Sequence, residues 1–343
     1  MLRLSILDQS PIAEGSTAAD ALRNTIDLAE LADRLGYHRY WLAEHHGGPM
    51  LAGPSPEALI GPLAERTSRI RVGSGGVMLP HYSPFKVAET FCLLSALYPG
   101  RIDLGIGRAA GTDPLTTFAL QRDRRQAAPD DFPQQLVELL AHLEDTLPAD
   151  HPFARLPGFL PGPGRPELWL LGSSPQSGIW AAELGLPYSF ADFINPGGAE
   201  IAQAYVRDFT PSTRGSEPRV SVGLWALAAD TEEEAQRLAS SARMTLRLLR
   251  RGRLVPVPPP DKAQRFLDQD GDPRGFGKRR AIIGTPDQVR EGIEAAAGEY
   301  GADEAIVLTI THDHGARRRS YELIAEAFGA EVSEPAELSP LSD

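Results

Sequence analysis

The chain has 343 residues, 42% of them hydrophobic and 23% charged, with a formal net charge of −12 at pH 7. That length and apolar content suit one large α/β domain or two smaller ones, and the negative balance argues against nucleic acid or an anionic membrane surface as partner. A single cysteine, Cys92, excludes a disulfide framework and a thiolate metal site; with no apolar run near the ~18 residues of a spanning helix and no leader-like apolar stretch at the start, a soluble cytoplasmic protein is expected.

Strand-like and helix-like stretches alternate along the chain. Leu2–Leu7 reads as a first strand, followed by an amphipathic helix from Asp20 with Leu22, Ile26 and Ala29 on one stripe and Gly36 past its end. Tyr40–Ala43 is a second strand, and its helix begins with Pro56 in the first turn. Ile70–Gly73 and the helix from Ser83, then Arg101–Gly107, make the third and fourth strand units. Residues 111–131 are polar and aperiodic, which predicts a long loop before a helix from Phe132 to Leu147.

Leu168–Gly172 and the helix from Pro175 form a fifth unit, and Pro187–Phe193 with a helix over 197–209 a sixth. Arg219–Ala229 is the seventh strand, followed by a capping-box pattern at Thr231 and Glu234. Arg250–Gly277, rich in Pro, Gly, Arg and Asp, reads as an excursion and a candidate lid. A second capping box, Thr285 to Gln288 with Pro286 at the first helical position, opens the next helix. Glu304–Ile310 is the eighth strand, Arg318–Phe328 the last helix, and residues 331–343 a frayed tail.

Eight strands, each followed by a helix and several apolar on both faces, fit a parallel sheet covered on both sides. The simplest closed form is a (β/α)8 TIM barrel over residues 1–330 with insertions after strands four and seven; a doubly wound open sheet is the alternative. The barrel predicts strand ends near Leu7, Ala43, Gly73, Gly105, Leu171, Ala191, Ala228 and Leu308. Sites form where the loops after the strands share one face. Glu44, His45 and His46 fall there, directly after strand two.

"GSSPQSG", Gly172–Gly178, joins strand five to a helix, so Ser173, Ser174, Ser177 and the first free amides could hold an anion, or Ser174 could simply cap the helix. Arg108, after the neighbouring strand four, could meet the same anion as a phosphate or pair with a loop carboxylate. Gly75–Gly76 at the end of strand three would let the backbone approach a flat ligand. "GIGRAAG" is not a dinucleotide fingerprint, because its spacing is wrong and an arginine interrupts it. His312, Asp313 and His314 could join the Glu44–His45–His46 group as ligands of a metal hydrolase.

Five stretches taken together resemble the luciferase-like flavin monooxygenase family: "GYHRYWLAEHH", "IRVGSGGVMLPHYSPFKVAE", "LYPGRIDLGIGRAAG", "GSSPQSGIWAAELGLPY" and "GTPDQVREGIEAAAGEYGADEAIVLT". They occur in the family's order and cover most of the chain. The resemblance implies a barrel that binds FMN at the strand C-terminal face, receives it reduced from a separate reductase, and oxygenates a small organic substrate through a flavin C4a-hydroperoxide. It also implies a homodimer, without a metal. His45 would be the catalytic histidine with Glu44 beside it, Gly75–Gly76 the pair behind the ring with a cis peptide between them, and Arg108, Ser173, Ser174 and Ser177 the phosphate contacts. Relatives that use F420 make a dehydrogenase the alternative, although the Glu-His-His motif favours FMN; a flavin-binding protein without turnover is a further one. Gly107 and Asp192 stand where bacterial luciferase carries a cysteine and a tryptophan, which argues against light emission.

Overall fold

The computed structural model describes residues 2–108, 113–121, 124–125, 130–156, 164–271, 276–277 and 279–330. Its strands are β1 (Arg3–Asp8), β2 (Arg39–Leu42), β3 (Arg71–Met78), β4 (Ile102–Gly107), β5 (Glu167–Gly172), β6 (Tyr188–Ala191), β7 (Val220–Ala228), β8 (Ile282–Gly284) and β9 (Glu304–Leu308). β1 to β7 pair in sequence order, β7 pairs with β9, and β9 with β1, all parallel. Eight strands therefore close into a (β/α)8 barrel, and the open-sheet alternative fails. β8 lies outside the ring and pairs only with β7, from Ala226↔Ile282 to Ala228↔Gly284.

The expected strand ends hold within two residues, except that β3 runs to Met78 rather than stopping at Gly73. It stays paired with β4 through a register shift between Gly75 and Val77. This irregular segment looked like loop in the sequence because its glycines hide the pairing.

The helices are α1 (Ala18–Arg34), α2 (Pro56–Arg66), α3 (Pro84–Leu97), α4 (Pro114–Leu120), α5 (Phe132–Glu144), α6 (Pro175–Glu183), α7 (Ala199–Asp208), α8 (Glu232–Arg250), α9 (Pro260–Asp270), α10 (Pro286–Tyr300) and α11 (His314–Ala327). Gly36 follows α1 with φ +77°, the left-handed conformation that glycine adopts at least cost. The box at Thr285 and Gln288 is complete. At Thr231 only half forms: the threonine hydroxyl accepts from the Glu234 amide, but the Glu234 carboxylate pairs with Arg237 at 2.7 Å instead of reaching back.

Two helices correct the loop readings. α4 starts on Asp113, whose carboxylate accepts from the Leu115 and Thr116 amides, with Pro114 at the first helical position. α9 lies inside the expected excursion, between Pro260 and a left-handed Gly271. It packs on α8 through Met244, Leu248, Ala263 and Phe266. Arg247 and Arg251 both pair with Asp270 at its end, at 2.5 and 2.6 Å. The segment is therefore built structure, tied also to the loop after β1 by paired backbone bonds between Val257 and Ile12 and between Glu14 and Val257. The tail 331–343 lies outside the described residues.

The main core lies between the strands and the surrounding helices. Inside the ring, Arg39 at the start of β2 is 1% exposed and bonds Asp103 of β4 and Glu304 of β9, each at 2.6 Å. Burial alone would push Glu167 up, but Arg39, Arg71 and Arg219 bring it down to about 2. Next along the strands come Trp41 and Trp169, edge to face at 5.6 Å, packed with Leu7 and Ile306. The Arg39 guanidinium lies 4.7 Å from the Trp169 ring centre, and the Trp41 indole N–H donates to Asp103 at 2.9 Å. The charged cluster plugs one end of the barrel, and an apolar layer separates it from the other.

Candidate active site

A cavity of about 1000 Å3 opens at the C-terminal ends of the strands. His45, Glu44, Gly75, Gly76, Arg108, Ser173, Ser174 and Ser177 all line it, although they come from four different strand ends. Leu7 and Trp41, rising from the inner layer, line it too.

Gly75–Gly76 is a cis peptide bond, as expected. A Cβ on Gly75 would stand 2.7 Å from Leu7 Cδ1 and 2.8 Å from Trp41 Cβ; one on Gly76 would stand 2.7 Å from the Gly105 carbonyl. Only glycine fits this close packing of β3 on its neighbours. Gly107 differs, because a Cβ there meets nothing nearer than 4.0 Å.

Glu44 is 1% exposed and fully engaged. Its carboxylate accepts from the Met78 amide at 2.9 Å and from the Tyr82 hydroxyl at 2.9 Å, and His46 Nε2 lies at 2.7 Å. Glu44 and His46 face each other, as strand alternation predicts. The alternation also implied that only one of the two histidines could face a ligand, yet both line the cavity. β2 has already ended at Leu42, so the backbone is no longer held to a strict two-residue period.

The His45 amide donates to the Gly53 carbonyl at 2.9 Å, which fixes the turn. Its Nδ1 is buried without a partner. The imidazole lines the cavity with that nitrogen unsatisfied by the protein. Burial, with a smaller push from His46, lowers this imidazole from 6.5 to about 4. At pH 7 His45 is therefore a neutral hydrogen-bond donor or acceptor. The unfolded chain takes up this proton near 6.5 and the folded chain only near 4, so stability is lost as pH falls through that window. For the same reason the acidic limb of kcat/KM, which reports the free enzyme, is expected near pH 4. A pH–rate profile breaking at 6–7 would contradict this assignment.

At the other end, Ser174 is the N-cap residue of α6 and makes no capping bond through its side chain. The first amides of any helix lack intrahelical partners, so this terminus is a ready anion site. Ser177 is differently placed: its hydroxyl donates to the Ser174 carbonyl at 2.7 Å and lies 3.0 Å from the Tyr188 hydroxyl. The Ser173 carbonyl accepts from the Asn195 amide at 2.9 Å. Arg108 is half exposed, 3.4 Å from Asp130 and 5.9 Å from the centre of Trp180 on α6. Its ion-pair partner among the described residues is the exposed Asp130.

The metal reading does not survive the geometry. His314 bonds Asp27 at 2.7 Å, His312 Nε2 lies 3.1 Å from the Glu14 carbonyl, and Asp313 caps α11 through the Ala316 amide at 2.7 Å. Asp192 points away from the cavity. It is fully buried, accepts from the Tyr300 hydroxyl at 2.8 Å, and lies 3.5 Å from Arg280. Burial raises it above the ordinary carboxylate range. The aromatic residue at this strand end is Phe193, which does line the cavity.

Sequence reading missed the wall formed by Trp225, Thr245, Leu246, Leu254 and Arg279. Trp225 sits within an apolar strand whose inward face the sequence does not mark. Thr245 and Leu246 belong to α8, Leu254 to the segment read as an excursion, and Arg279 lies just past that segment's end; the amphipathic run from Asp261 to Asp270, ended by Gly271, was the signal available in the excursion.

The residues fit a flat, phosphate-bearing group: an anion terminus at α6, an orphaned imidazole at β2, and open space over Gly107 between them. The family model for luciferase-like monooxygenases matches residues 2–304. The chain is 41% identical over 330 residues to the N-acetyl-S-alkylcysteine monooxygenase of Bacillus subtilis (strain 168), covering 95% of this chain and 98% of that protein. Among solved structures, apo-MsnO8 is 42% identical and superposes with a TM-score of 0.89, covering 97% of this chain and all of that one. The oxygenating constituent of 3,6-diketocamphane monooxygenase from Pseudomonas putida, solved with FMN, shares the fold at a TM-score of 0.72 and 21% identity, over 98% of this chain and all of that one.

Proposed function

Since the chain belongs to the luciferase-like monooxygenase family, we propose that it is a flavin-dependent monooxygenase taking reduced FMN from a separate reductase and using O2 to oxygenate a small organic substrate. The observation that carries this reading is the cavity itself, with an anion terminus at β4–β5 and a neutral imidazole at β2. Bound reduced flavin would supply the electrons that activate oxygen.

The chain's own residues divide the work. Arg108 and the start of α6 bind the phosphate. The cis Gly75–Gly76 backbone, packed on Leu7 and Trp41, gives the ring a fixed apolar support. His45 donates or accepts a proton at the reacting face. Glu44 positions His46 and the Met78 amide, and so holds the wall of the mouth. Trp41, Trp225 and Phe193 exclude water from it. The reading covers one domain over residues 1–330 and a homodimer, whose contact we place on the exposed Leu93 and Leu97 of α3 and Val137 of α5.

The cofactor assignment is tested by titrating FMN, riboflavin and F420. FMN should bind tightest. Arg108→Ala should weaken FMN by ~1.5–3 kcal/mol, the value of a hydrogen bond to a charged group, and leave riboflavin nearly unchanged. Equal loss for both ligands would remove Arg108 from the phosphate site, and tighter binding of F420 would replace the oxygenase with a dehydrogenase.

A further inference from the structure

Arg279 lies in the cavity wall and has no hydrogen-bond or ion-pair partner among the described residues. It precedes β8 and is half-buried. The two carboxylates that line the cavity are already engaged: Glu44 with Tyr82, His46 and the Met78 amide, and Asp113 with the first amides of α4. The same cavity has an apolar wall that includes Trp225, Leu246, Leu249, Leu254 and Val257. A guanidinium with five donors in such a wall is costly unless something accepts from it.

The flavin phosphate is not that acceptor. Its terminus lies at β4 and β5, and β6 stands between those strands and β7, on which β8 hangs. One phosphate cannot occupy both ends. The geometry points to a substrate with an apolar body and one carboxylate, gripped by the Arg279 fork while the body lies against Trp225 and Leu246. A planar guanidinium matches a carboxylate with two parallel N–H···O bonds. Burial, with some repulsion from Arg250, disfavours the unpaired cation here, as expected of a group that lacks its counter-ion. Arg279 is thus the specificity-determining residue of the proposed oxygenase, and this inference rests on that reading for the chemistry but not for the binding.

The test is calorimetric titration of hexanoate, octanoate and decanoate, and of the matching primary amides, into the protein with and without saturating FMN. The acids should bind at least ~10-fold more tightly than the amides, as one charge-assisted bond allows. Arg279→Gln should erase that preference without weakening the amides or FMN, and Arg279→Lys should restore only part of it. Equal binding of acid and amide to the unaltered protein overturns the proposal, as does an Arg279→Gln variant that keeps the preference. Weaker FMN in that variant, with acids unaffected, would assign Arg279 to the cofactor instead. If FMN fails to bind at all, the oxygenase reading falls, and the acid preference measured without FMN still decides the role of Arg279.

Discussion

Replacing His45 by alanine is expected to slow oxygen transfer by roughly 10²–10⁴-fold, the usual worth of one positioned proton donor or acceptor. FMN affinity should barely change, because the phosphate contacts lie across the mouth at β4 and β5. Flavin reoxidation in oxygenated buffer, hydrogen peroxide yield and product yield read the outcome together. In the variant, peroxide should account for nearly all the oxygen consumed. His46→Ala should cost less, since His46 is bound to Glu44 and acts by holding the turn. Full turnover in His45→Ala, with loss only in His46→Ala, would show that the other imidazole carries the proton.

The largest stability effect is expected at Arg39. Removing one partner from a buried ion cluster leaves the others unpaired, and such changes typically cost ~3–5 kcal/mol. Arg39→Met would leave Glu304 without a cation and Asp103 with Arg71 alone, both carboxylates being fully buried. Urea unfolding measures the loss, and adding Glu304→Leu to the variant should recover part of it, because the buried carboxylate left without a guanidinium is then removed. A single-variant loss below about 1 kcal/mol would mean that water already reaches the cluster. Glu167 adds a pH dependence: its value falls to about 2 in the fold, so its contribution is present above its ordinary 4.5 and is lost as pH drops from there toward 2.

Much of this architecture was legible because parallel strands buried on both faces leave apolar runs, and because chemistry in such barrels collects at strand ends. Tyr40–Ala43 followed by Glu44–His45–His46 carried both signals at once. β8 was not legible, since three residues show no period. α4 and α9 were hidden by the prolines and glycines at their ends. The His45 shift was invisible for a different reason: it arises from burial, which depends on residues distant in sequence. The same holds for Asp192 and Phe193, where only the folded chain reveals which neighbour turns inward.

The pairing of β8 with β7 has a consequence for how this barrel can change. The stretch from Ala229 to Ile283 leaves the ring and returns with its two ends side by side, Ala228 opposite Gly284 and the Ala229 amide on the Gly284 carbonyl at 3.1 Å. A loop whose ends are already joined can be lengthened, shortened or replaced at little entropic cost to the rest of the chain. It carries Thr245, Leu246, Leu254 and Arg279 but none of Glu44, His45, Arg108 or the α6 serines. The stretch is in effect an exchangeable cassette: a barrel of this kind could acquire a new substrate by swapping one contiguous block of sequence, with the oxygen chemistry inherited untouched.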